Sequence, residues 1–395
     1  MENKIEEYLN NIDLDIRKTK NARFMDQKVT PDVLCMIADC VLNYLESKNE
    51  ENIKFSSTDI WKYEYSNTNI KEIFGKTDVS NKKAKNEYDK FFQQPLKALA
   101  YAKILKEEKQ GNKIYFTVLN LDILQYIAIK ERNALNFLDI YLKKVLEDSG
   151  IWDLFENFFI NNTKDNFNIL KSKYENFIIQ HTPINGKTEA RRIFTKVLNP
   201  LAFKRQKYGT SKGFFSKDII SNDVLMYNRK NWRDITKKKS ETREEYEIRA
   251  KLEVQQSKDA YVKYTINKAA NIVRKLHSPN SELKDDLAIG EATQVHHIFM
   301  KSDFPQIESY IENLILLTAT QHNTKAHPNN NTRIINKDYQ LLCLLAKSDS
   351  VEKYHNIYSK EDFLFVLKIG LNEEFSNNIE FRELKEKLVD LYNVA

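Results

Sequence analysis

Cysteine is scarce, with Cys35, Cys40 and Cys343 the whole complement of 395 residues. The number is odd and no CxxC pair occurs, so neither a disulfide framework nor a cysteine-held metal is supported, and buried reduced thiols are expected. Glycine (8) and proline (7) are also sparse, which excludes fibrous repeats and low-complexity linkers. No stretch approaches the roughly 20 apolar residues that cross a bilayer. The opening MENKIEEYLNNID is polar and acidic where a secretory leader is basic and then apolar. A cytoplasmic chain without a membrane partner is expected.

What is present suffices for real cores, since 41% of residues are hydrophobic and 11% aromatic. The length exceeds one ordinary domain, and no internal repeat is evident. A net charge of +6 points only weakly to nucleic acid, but it is unevenly placed. From Lys187 to Lys217, nine basic residues (Lys187, Arg191, Arg192, Lys196, Lys204, Arg205, Lys207, Lys212 and Lys217) face one acid, Glu189, so the remainder of the chain is slightly acidic. Arg229 and Arg233 follow in an Arg- and aromatic-rich segment, Tyr227 to Asp234. Such a stretch is often only a solvated surface; its imbalance favours contact with a DNA backbone. In Tyr208-Gly209-Thr210-Ser211-Lys212-Gly213, glycines and small hydroxyl residues let backbone N–H groups approach phosphate.

The N-terminal part reads as helical. Thr30-Pro31-Asp32 starts a helix whose Val33, Leu34, Ile37, Val41, Leu42 and Leu45 make one buried face. Ser57-Thr58-Asp59 starts a second before Ile60 and Trp61, and Pro95 opens a third through Leu96, Leu99 and Ala100. Ile104–Glu108, a turn at Gly111, and Lys113–Val118 then read as strand, turn, strand. Helices closed by a hairpin predict a winged-helix-like DNA-binding domain over 1–120, with plain packing as the alternative. The helix before the hairpin, or Tyr65 to Phe92, is placed to enter a major groove while the turn at Gly111 touches phosphate. An aromatic helical core or connector follows over 121–180, carrying Tyr126, Phe137, Tyr141, Trp152, Phe155, Phe158 and Phe159. The basic region spans 181–250, and its residues 237–257, of mixed charge, suit an exposed helix or linker.

The chemistry lies further on. Four of the seven histidines, His296, His297, His322 and His327, fall within 32 residues, a density typical of metal or acid–base sites. Thr293–Phe299 has the pattern of a strand ending in paired histidines, a loop follows, and Asn313–Leu317 makes a second strand. Thr320 is placed to cap a short helix that Pro328 stops. Neighbouring strand residues face opposite ways, so His296 and His297 should have different jobs.

From about Ala292 to Pro328 the chain resembles the HNH, or ββα-metal, nuclease motif of colicin-type DNases and many restriction and homing endonucleases. The resemblance implies His296 and His322 as metal ligands, His297 as general base, and Asn313 as the residue that holds the loop and aims the base. It departs from the pattern at His327. A further ligand in colicin-type sites stands four residues after the helix histidine, whereas His327 stands five after His322, about 140° round an α-helix. His327 is therefore the weakest member of the candidate metal set. No cysteine pairs staple the motif, so Ile315, Leu317, Leu341, Leu342 and Leu344 are expected to pack it. His181, His277 and His355 are isolated and read as structural.

The whole chain is expected to be mainly α with small β elements: the winged-helix-like domain, a helical middle, an HNH nuclease domain over 251–347 and a helical extension over 348–395. It resembles type II restriction endonucleases with an HNH catalytic domain. That implies a homodimer on double-stranded DNA, a cognate DNA methyltransferase, and a divalent cofactor, Mg²⁺ foremost with Mn²⁺ or Zn²⁺ open. Alternatives are a homing, toxin-like or nonspecific HNH nuclease, and a non-catalytic winged-helix regulator.

Overall fold

A computed structural model describes residues 1–48, 52–76, 80, 85–227, 235, 237–328, 331 and 335–393. The chain is mainly helical, 63% helix against 10% strand, with small antiparallel sheets, as its helical spacings and hairpin signals predict. Among the described residues no helix is long and apolar enough to cross a membrane. Two compact units are formed, Met1–Lys258 and Asp259–Ala395.

The first unit begins with α1 (Glu2–Asn10), the single turn α2 (Ile16–Thr19) and α3 (Pro31–Glu46). The sequence suggested one buried face for α3, yet every residue from Pro31 to Val41 is buried. The helix is central, packed by later helices on several sides, so its polar Asp32 and Asp39 are satisfied internally: Asp32 accepts from the Tyr227 backbone and Asp39 from the Tyr65 hydroxyl.

Next come β1 (Phe55–Ser56), α4 (Ser57–Lys62), α5 (Glu64–Phe74) and α6 (Lys85–Tyr101). Ser56, one residue earlier than the sequence indicated, caps α4 in a reciprocal box with Asp59. Pro95 does not open a helix but lies inside α6. Buried Phe91, Phe92, Leu96 and Leu99 share one face across it, and that packing outweighs the one hydrogen bond a proline removes.

The hairpin β2 (Leu105–Gln110) and β3 (Lys113–Val118) turns at Gly111, whose φ is +60°. β1 adds to β3, pairing Phe55 with Phe116, to give the order β1-β3-β2.

Helices α7 (Leu121–Ile129), α8 (Glu131–Asp148), α9 (Trp152–Ile160), α10 (Lys164–His181) and α11 (Lys187–Lys204) build an aromatic core. Phe137 stacks on Tyr141 at 5.5 Å, and Phe155, Phe167, Tyr174 and Phe194 meet between α9, α10 and α11. A second hairpin, β4 (Tyr208–Ser211) and β5 (Phe214–Ile219), precedes the turn α12 (Asn222–Leu225). α13 (Arg243–His277) realises the predicted mixed-charge helix; its Ser257 hydroxyl donates to the Ile73 carbonyl at 2.7 Å.

In the second unit, β6 (Ala292–His297) pairs antiparallel with β7 (Leu314–Thr318), setting His296 opposite Ile315 and His297 opposite Leu314. A π-turn, Gln321–Ala326, follows, and then α14 (Lys337–Lys353), α15 (Lys360–Leu371) and α16 (Phe381–Asn393). All three cysteines are buried, and none is in a disulfide among the described residues.

Candidate metal centre and its neighbouring histidine

β7 is buried along its whole length, which fixes its strand partner and so the depth of the two histidines. His296 is 4% exposed and turns toward the π-turn, where His322 and His327 reach it. One ligand nitrogen from each of the three lies within 4.8 Å of the others. Their rings meet edge to face at 4.8 to 5.4 Å.

The five-residue step to His327 therefore does not carry it off the site. The backbone is a π-turn, in which the His327 N–H donates to the His322 carbonyl at 3.0 Å. An i→i+5 ring brings the fifth residue back above the first, as four residues do in an α-helix. The cap also differs from expectation: the Thr318 hydroxyl, not Thr320, accepts from the Gln321 N–H.

Burial pushes the His296 pKa down to about 3, with the neighbouring His327, His322 and His297 adding to the effect. A neutral imidazole keeps its lone pair, the form in which histidine binds metal. The His322 Nδ1 lies 2.9 Å from the Asn323 side-chain oxygen, which accepts its proton and leaves Nε2 available to a metal. Three converging imidazoles, two of them buried, are a donor set that fits a divalent transition ion.

His297 points elsewhere, as strand alternation requires. Its Nε2 lies 3.0 Å from the Glu308 carbonyl. A carbonyl only accepts, so Nε2 carries the proton and Nδ1 keeps the lone pair. Burial lowers this pKa, partly offset by the Glu308 contact, and Lys301 lowers it further.

Asn313 is fully buried and clamps the intervening loop. Its side chain accepts from the Phe299 N–H at 2.9 Å and donates to the carbonyls of Phe299 at 3.0 Å and Ile307 at 3.3 Å. Through that loop it holds Glu308 against His297.

Beneath these residues lies a polar network that the sequence did not reveal. Gln321 is fully buried; its amide donates to the Leu283 carbonyl and Asp285, and its oxygen accepts from Ser281 and the Thr318 N–H. Glu282 accepts from the Leu316 N–H at 2.8 Å and from Lys347 at 2.6 Å, both ion-pair side chains having no exposure. His277 joins through the Tyr358 hydroxyl at 2.8 Å. Of the apolar residues expected to replace a cysteine staple, Ile315, Leu317 and Leu344 are buried, but Leu342 is 43% exposed and Leu341 only half-buried. The inner face of α14 is instead committed to Cys343, Lys347 and Tyr339, so ion pairing supplies part of the staple.

The basic stretch divides. Arg191 pairs with Glu175 at 2.8 Å, Arg205 with Asp139 at 2.6 Å while stacking on Trp152 and Phe159, and Lys204 donates to Asn136. Burial lowers the Lys196 pKa, with Asp32 opposing. These four make intramolecular contacts, because helix α11 and the Arg205 that follows it pack against acids and aromatics on α8, α9 and α10. Lys187, Arg192, Lys207 and Lys212, with Lys217, make no ion pair among the described residues. Arg229 and Arg233 lie outside the described residues. Tyr227, where that segment begins, is committed inward, its ring against Phe74 and Phe91 and its hydroxyl on Lys76 at 2.7 Å.

The chain matches no family model, no curated protein and no solved structure.

Proposed function

We propose that the chain is a metal-dependent endonuclease acting on double-stranded DNA. The observation that carries this reading is the pairing, on adjacent strand residues, of a three-histidine cluster with a histidine oriented by a backbone carbonyl. His296, His322 and His327 would hold a divalent ion; when bound, it supplies Lewis acidity toward the phosphate and the leaving oxygen. His297 takes a proton from water at its free ring nitrogen. The resulting hydroxide attacks phosphorus in line, the bond to the 3′ oxygen breaks and that oxygen takes a proton from solvent water, leaving a 5′-phosphate and a 3′-hydroxyl. Three nitrogen ligands favour Mn²⁺ or Zn²⁺ over Mg²⁺, which prefers oxygen.

The order α3, β1, α4, α5, α6, β2, β3 supports a winged-helix DNA-binding element in the first unit, with α6 as its reading helix. One such centre per chain and two strands to cut favour a homodimer and a type II restriction enzyme, whose host would need a protecting methyltransferase. Supercoiled plasmid incubated with purified protein and Mg²⁺, Mn²⁺ or Zn²⁺, beside His297→Ala, tests the reading. Discrete fragments lost in the variant and in chelator support it. A metal-dependent smear moves it to a nonspecific nuclease, and intact DNA throughout defeats it.

A further inference from the structure

The β4–β5 hairpin leaves a large aromatic side chain in water. Ser211 pairs with Phe214 across a two-residue turn in which Lys212 (φ +51°) and Gly213 (φ +83°) are both left-handed, a type I′ geometry. Phe214 is 75% exposed at that tip, whereas its neighbour Phe215 packs against Phe158 and Phe167.

The hairpin itself is held firmly. Asn199 exchanges two hydrogen bonds with the Thr210 backbone, both 2.9 Å. Asn162 clamps the Tyr208 backbone N–H and carbonyl, and Lys171 donates to the Gly213 carbonyl at 2.5 Å. Gly209 has no room for a side chain: a Cβ there would lie 2.6 Å from the Asn199 oxygen and 2.8 Å from Ile220. A rigid, closely packed base thus presents an unburied ring.

The charge around the ring is of one sign at the tip. Lys212 is in the turn beside Phe214, Lys171 lies beside the turn, Lys217 lies on β5 and Lys207 immediately precedes β4, with Asp218 the one acid between 207 and 219. An apolar partner protein would gain nothing from these lysines, whereas a polyanion with stackable planes uses both features.

We propose that this hairpin is a wedge for duplex DNA: Lys207, Lys212 and Lys217 contact phosphates while Phe214 inserts at a base step and unstacks it. The inference rests on the nucleic-acid substrate of the preceding reading and adds the place and manner of contact.

The test uses full-length protein in chelator, so that binding is separated from cleavage. Fluorescence anisotropy follows a duplex of about 25 base pairs, and 2-aminopurine within it reports unstacking. Phe214→Ala should weaken binding about tenfold and remove the 2-aminopurine rise, while Phe214→Trp restores both. Lys212→Asn, which suits the left-handed turn, should reduce the log–log salt slope by about 1. Because Phe214 is exposed, these variants should melt as the wild type does. Unchanged affinity and 2-aminopurine signal in Phe214→Ala overturn the wedge alone. A change confined to self-association of the protein also overturns it and makes the ring a protein contact. If the wild type binds no duplex, the wedge and the DNA substrate fall together; binding without metal-dependent cleavage removes only the nuclease.

Discussion

The backbone N–H of His327 donates to the carbonyl of His322 at 3.0 Å, and this single bond decides whether the candidate metal centre has two protein ligands or three. In an α-helix the same pair would diverge by about 140°. In the π-turn their rings are 4.9 Å apart. Single π-turns are found frequently at functional sites.

His327→Ala should therefore weaken binding of Co²⁺, a spectroscopic stand-in for Zn²⁺, by at least the roughly 10- to 100-fold typical of losing even an outer partner. Titration of the visible Co²⁺ absorption measures this. Deleting Thr324 shortens the step to four, which an ordinary α-turn brings to one face, so binding should survive. Equal affinity of wild type and His327→Ala would remove His327 from the ligand set.

Asn313 acts through the loop rather than on a metal. Asn313→Ala strands the Phe299 N–H and two carbonyls inside the protein, a loss of roughly 2 to 4 kcal/mol by the cost of unsatisfied buried groups. Cleavage should fall with it, because the Glu308 carbonyl no longer fixes the His297 ring, whereas Co²⁺ affinity should change only a few-fold. Undiminished cleavage, or loss of Co²⁺ binding as large as that of His327→Ala, would remove Asn313 from this positioning role.

Much of the candidate site is legible in the sequence because it depends on short-range order. Paired histidines on a strand, an asparagine before the next strand and a histidine after it are all visible as spacing, as is the strand alternation that separates His296 from His297. The π-turn is not, since the five-residue step is meaningful only once β6 and β7 fix how far His327 must reach. Gln321 stands beside a recognisable histidine but has contacts 36 to 40 residues away, and Glu282 meets Lys347 across 65. No local pattern marks such pairs. In the basic stretch, charge density shows where lysines and arginines are, but not that Glu175 and Asp139, brought in by other helices, pair with Arg191 and Arg205.

The Glu282–Lys347 pair should be strongly one-sided in its response to mutation. Lys347→Met leaves a carboxylate buried beside β7 and should destabilise by about 3 to 5 kcal/mol. Adding Glu282→Gln removes the charge while keeping an acceptor for the Leu316 N–H, and should recover a large part of that loss. Chemical denaturation of the four proteins measures the coupling. Additive effects would mean that the two groups do not stabilise one another.

His277 gives the second unit a dependence on pH. Burial lowers its pKa to about 4 from an ordinary 6.5; Glu282 opposes and Lys347 assists. The 3.3 Å approach of Glu282 would by itself favour protonation, but that carboxylate is already paired with Lys347, so desolvation prevails. The unfolded chain takes up a proton near pH 6.5 that the folded chain refuses until about pH 4. Stability from neutral His277 is thus complete above pH 6.5, declines as the pH falls toward 4, and then levels off, a total of about 3 kcal/mol by proton linkage. His277→Phe, which keeps the ring packed near Tyr354 and Tyr358, should lower stability at pH 7.5 by losing the Tyr358 hydrogen bond, yet lose less on acidification. Urea denaturation of both proteins at pH 7.5 and 5.0 reads the difference directly; equal losses would place the acid sensitivity elsewhere in the unit.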